Sequence, residues 1–200
     1  MLAVALVASL TALGAPGYAE LASGAEPVKN LGRFLEHYLG DCDSDDPGFD
    51  RKGCEAATAR AQRAYEGRTL RLEIEDVEGV LQFAKFDAER GAFRMHLTPF
   101  FAERASALTL GKPVRLDGEG RPVMKNRPVW VTKPADEDDL VFRRALERGM
   151  VRLELLVRPV RPWRMEPKRG GPALRGVEAS LVGLRVIASR GDAVLAEEVP

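Results

Sequence analysis

The chain has few of the residue types used most often for catalysis. Its 200 residues include two histidines, His37 and His96, and two cysteines, Cys42 and Cys54. So few imidazoles and thiols build a zinc centre only if carboxylates complete it, and disulfide-bonded cysteines could not serve. His37 falls on or beside a helix face and His96 on the polar face of a strand, so nothing in the pattern brings them together. H-E-x-x-H, C-x-x-C, a phosphate-binding glycine loop and G-x-S-x-G are all missing. Charge of one sign is lacking as well. Lys and Arg number 30 against 30 Asp and Glu, so no global field favours nucleic acid or an anionic membrane. No apolar run reaches the ~20 residues of a membrane-spanning helix. These absences favour a non-enzymatic role. The alternative is an exported hydrolase of unrecognised type, in which His37 or His96 would converge with an acid or serine in a cleft.

What is present begins at the N-terminus. Leu2 to Leu13 form an apolar run of signal-peptide length. Gly14-Ala15-Pro16-Gly17 breaks the run, and Gly17-Tyr18-Ala19 places small residues at −3 and −1 before Glu20. No Lys or Arg precedes the run, so the α-amino group is its only positive charge. Residues 1–19 are expected to be a signal peptide that is removed; the other reading is an N-terminal helix packed on the domain. Export places the protein in the periplasm or outside the cell. About 180 residues then remain, enough for one well-buried domain or a domain with a small appendage.

Two cysteines in an exported chain most simply pair. Closing the loop between Cys42 and Cys54 would restrict the unfolded chain by roughly 3 kcal/mol. The loop they bracket is crowded with acid: Asp43, Asp45, Asp46 and Asp50 lie between them and Asp41 just before. Asp41, Asp43 and Asp45 match the first three ligand positions of an EF-hand-type loop, where carboxylates neutralise calcium. Asp46 then stands where the turn glycine belongs, and Lys52 where a closing glutamate should be. The alternation of Asp around a cysteine is faintly similar to thrombospondin-type calcium repeats. Asp41, Asp43, Asp45 and Asp50 are therefore candidate calcium ligands, the only cofactor suggested. The competing reading makes them solvated loop and helix-cap acids.

A helix is expected over about Val28 to Leu39, where Leu31, Phe34, Leu35, Tyr38 and Leu39 form one stripe and Gly40 stops it. A second, alanine-rich helix is expected from about Glu55 to Glu66, closed by Gly67. From Arg68 onward the period becomes 2. Leu70, Leu72 and Ile74 alternate with charged residues, Val77-Glu78-Gly79 turns the chain, and Val80 to Phe86 returns. Further strands are expected around Phe93–Leu97, in a 114–117/122–125 hairpin, at Val129–Thr132, from Val151 to Val157, over Val177–Ala188 and over Ala193–Glu197. A helix from Leu140 to Arg148, acidic at its start and basic at its end, interrupts them. Pro159, Pro162 and Pro167 mark a stretch expected not to be a central strand. Gly183, inside a strand pattern, suggests a bulge or close backbone approach. The fold class is mainly β (α+β): a helical hairpin over residues 20–67, then a mostly antiparallel barrel or sandwich over 68–200 with one inserted helix.

The last third is rich in arginine, and Trp163 sits within Arg161-Pro162-Trp163-Arg164. An aromatic between cations could stack on a ligand, which makes Trp163, Arg161 and Arg164 candidate binding residues. The same tryptophan could instead plug the end of a barrel. The block Leu97 to Arg104, the stretch Leu108 to Pro113, the cysteine-bounded loop and Arg161 to Arg164 together resemble an uncharacterised family of exported myxobacterial proteins, a domain of unknown function. That resemblance implies export and an unassigned role, and carries no activity or catalytic residue to any position. The expected partner is a small molecule or an envelope protein.

Overall fold

The computed structural model describes residues 17–44, 46–75, 81–87, 89–90, 92–97, 100–103, 106–118, 121–124, 129–132, 144–145, 148, 150–166 and 173–199. In chain order these form α1 (Tyr18–Ser23), β1 (Glu26–Pro27), α2 (Leu31–Leu39), α3 (Arg51–Tyr65), β2 (Leu70–Ile74), β3 (Leu81–Asp87), β4 (Ala92–Leu97), β5 (Phe100–Glu103) and β6 (Ser106–Leu110). There follow β7 (Arg115–Leu116), β8 (Pro122–Val123), β9 (Val129–Thr132), β10 (Val151–Met165), β11 (Leu174–Ala188) and β12 (Val194–Glu198). The apolar N-terminal run and most of the expected 140–148 helix lie outside the described residues.

The stripe of α2 forms as its spacing requires, and the Asn30 side chain starts it by accepting a hydrogen bond from the Arg33 backbone N–H at 2.9 Å. Gly40 ends it at φ 62°, and a Cβ there would stand 2.0 Å from Thr58 Oγ1. Backbone conformation and space both demand glycine. α3 begins one turn earlier than expected because Asp50 caps it, accepting from the Gly53 N–H at 2.9 Å. Phe34, Leu35 and Tyr38 of α2 share one buried cluster with Leu70, Leu72, Leu153, Leu155, Val157, Val177 and Leu184 of the strands. The helix therefore covers one face of the sheet, called here the core face.

The described strands form a curled, half-barrel mixed sheet of ten strands, with the order β1-β2-β10-β11-β12-β9-β4-β3 and β5–β6 attached to β11. The mainly β class holds and most described pairings are antiparallel, as expected, with two parallel exceptions and one changed hairpin. β6 runs parallel to β11, and β1 parallel to β2, so the sheet is mixed. β2 and β3 do not form a hairpin: β2 pairs with β1 and β10, and β3 with β4 at the other end of the order. Alternation makes a strand legible but leaves its partner to long-range packing. The β7–β8 hairpin forms as expected, as a separate two-stranded pair.

The long antiparallel pair of β10 and β11 organises the whole. β10 continues through Pro159 and Pro162, and this half is not a central strand among the described strands, as its prolines require. Its pairing with β2 ends at Val157, so among the described strands only β11 flanks the proline-bearing half. The register skips Val160 between Pro159 and Arg161, a bulge that brings both prolines into the same phase. Their missing N–H groups then share one edge, the edge without a described partner, where proline is tolerated and blunts further pairing.

Candidate functional site

Opposed residues in a strand pair share a face, so the register sorts the candidate side chains. Arg164 lies opposite Arg175, and Pro162 opposite the core residue Val177, which puts Arg164 on the core face. Arg161 lies opposite Glu178 and Trp163 opposite Gly176, on the other face. The three candidate binding residues are thus divided between two faces.

On the core face the acidic loop closes on the distal ends of β10 and β11. Cys42 and Cys54 form a disulfide, with Cα atoms 5.6 Å apart. Asp43 pairs with Arg164, and Asp41 with Arg175 at 3.5 Å, while the Arg175 guanidinium also donates to the Gly40 carbonyl oxygen. Asp50 serves as the α3 cap, and Asp46 accepts from the Gly48 N–H at 2.9 Å. Of the four candidate calcium ligands, then, two face arginines and one caps a helix; Asp45 lies outside the described residues. No group of three or more His, Cys, Asp or Glu that could hold a metal ion occurs among the described residues.

On the opposite face, the Trp163 indole sits against Gly176, where an added Cβ would stand 2.3 Å from the indole and 2.3 Å from the Ala107 carbonyl oxygen. Its Nε1–H donates to Thr109 Oγ1 at 3.0 Å, and the buried Thr109 hydroxyl donates to the Val177 carbonyl oxygen at 3.3 Å. The indole thereby ties β10 across β11 to β6. Arg161 is paired with Glu178 at 2.7 Å. His37 on α2 packs edge-on against Tyr65, whereas His96 belongs to β4, separated from β11 by β9 and β12.

Two groups that sequence reasoning passed over are the most unusual electrostatically. Tyr18, read only as a position before a cleavage site, is 2% exposed. Its hydroxyl donates to Glu154 Oε1 at 2.8 Å, and the Arg185 guanidinium lies 4.1 Å from its ring centroid. Burial, then the Glu154 hydrogen bond and charge, push its hydroxyl far above the ordinary phenol range. Glu154 is itself buried and has Arg71 and Arg185 each at 3.8 Å. Gly183, opposite Leu156, carries the ring of Tyr18, and Val182 beside it is bulged out of register. The bulge reading of that glycine holds, and what approaches it closely is side chain, the Tyr18 ring and Leu156, rather than another backbone. Glu198 is the second group. It lies opposite Leu184 on the core face, and burial pushes its carboxyl up to about 7 despite a hydrogen bond from the Trp130 backbone. Its Oε2 is buried and has no hydrogen-bond partner among the described residues. A Glu-Glu pair at a strand end gives no signal of this, since it reads as solvated acid.

The chain belongs to a family of unknown function, DUF6066, whose model matches residues 1–196. No curated protein and no solved structure matches it. The resemblance to an uncharacterised family is thus confirmed in its main point, the domain of unknown function.

Proposed function

We propose that this member of the family is an exported, non-enzymatic domain that binds a small molecule or an envelope partner outside the cytoplasm. The Cys42–Cys54 bond carries the reading, because such bonds persist chiefly in oxidising compartments. The apolar run at Leu2 to Leu13 supports it, being of the length that directs export. No described helix is long and apolar enough to cross a membrane, which is compatible with a domain working beside the membrane. The outer half of β10 exposes Arg161 on one face and Arg164 on the other, so a partner would dock around this strand from the edge without a described partner strand.

Fractionation of cells producing the full chain with a C-terminal tag tests this. The protein is expected in the periplasm or medium, and Arg161→Glu with Arg164→Glu is expected to reduce its retention with envelope components. Recovery of the folded chain in the cytoplasm alone would overturn the reading.

A further inference from the structure

The expected cut after Ala19 would remove a residue that the fold uses. α1 packs against β11, and its first residue, Tyr18, fills the hollow over Gly183. A Cβ on Gly183 would stand 3.1 Å from the Tyr18 ring and 3.0 Å from Leu156, so the absence of a side chain there is what seats the ring. Leu156 beneath is fully buried, and the Glu154 carboxylate beside it receives its closest hydrogen bond from the Tyr18 hydroxyl. Without Tyr18 that carboxylate would keep, among the described residues, the two guanidinium groups at 3.8 Å. Arg185 would lose the ring it stacks on. The cut would also fall inside the six-residue helix, whose first turn is held by the bond from the Leu21 N–H to the Gly17 carbonyl oxygen.

We propose that Tyr18 belongs to the mature fold and that leader removal cuts ahead of it, at the Gly14–Ala15 bond. Ala12 and Gly14 place small residues at −3 and −1 of that bond. Leu2 to Leu10 still provides an apolar core within the ~7–15 residues a leader requires. Leader peptidases act on unfolded chains, so the force of the inference lies in the product: a chain beginning at Ala15 keeps its anchor, and one beginning at Glu20 does not. The cut rests on the export reading above, whereas the place of Tyr18 rests on packing alone.

The test is to produce the full chain with a C-terminal tag in a bacterial host, measure its N-terminus by intact mass, and melt it beside Tyr18→Ala and Tyr18→Phe. The expected product begins at Ala15. Tyr18→Ala is expected to lower the midpoint by roughly 6–12 °C, and Tyr18→Phe, which keeps the ring, by about 2–4 °C. A Glu20 terminus overturns the cut while leaving export standing. A chain recovered whole overturns the cut, and overturns the export reading only if fractionation also finds it in the cytoplasm alone. A Tyr18→Ala protein that melts with its parent overturns the structural role, and Tyr18→Phe decides that role if the alanine variant does not fold.

Discussion

Replacing Glu198 by Gln is expected to stabilise the protein at alkaline pH and to leave it unchanged in acid. The carboxyl stands on the core face opposite Leu184, and burial raises it from its ordinary value of 4.5 to about 7. The folded state therefore holds a proton there that the unfolded chain releases from about pH 4.5 upward. Stability from this group is full below 4.5, falls as pH rises towards 7, and is lost above it. A fully desolvated carboxyl with this difference would cost about 3 kcal/mol at pH 8. Glu198 is only partly shielded from water, which reduces the expected cost to about 1–2 kcal/mol. Glutamine keeps the shape and the acceptor for the Trp130 N–H but never ionises. Urea denaturation of both proteins at pH 4 and pH 8 isolates the effect, because every other group titrates alike in the two. The variant should match its parent at pH 4 and exceed it by about 1–2 kcal/mol at pH 8. An equal difference at both pH values, or a parent more stable at pH 8, would refute the placement of this carboxyl.

Gly176→Ala should cost about 2–3 kcal/mol in chemical denaturation, because the new Cβ meets a neighbouring backbone oxygen as well as the Trp163 ring, and the oxygen cannot step aside. Millimolar calcium should move the thermal midpoint by less than about 2 °C relative to chelator, since Asp41 and Asp43 already face arginines. A larger shift, abolished by Asp43→Asn, would return the acidic loop to the status of a calcium site.

Local pattern was legible and long-range pairing was not. Leu31, Phe34, Leu35 and Tyr38 announce α2 through a 3.6-residue stripe, and Val151, Leu153, Leu155 and Val157 announce half of β10 through alternation. The second half of β10 was hidden by its prolines, which rule out a two-sided strand but not one flanked on a single side. β5 and β6 were recognised only as a block resembling a family, because Ser106-Ala107-Leu108-Thr109-Leu110 has buried residues on both faces and so no clean alternation. The candidate site shows the same division. The count of two cysteines and the expectation of export point to the disulfide, which the structure contains. The arginine partner of Asp43 lies 121 residues later in sequence, a distance over which no local rule operates. Tyr18 was concealed differently: small residues on either side satisfy a cleavage pattern, and its burial against Glu154 depends on a strand 136 residues away.

The most direct measurement on the export reading is the state of Cys42 and Cys54 in protein taken from cells under immediate alkylation and mapped by mass spectrometry. An exported, disulfide-closed domain predicts linked Cys42 and Cys54 peptides and no alkylated thiol. Two fully alkylated cysteines in the folded cellular protein would contradict it.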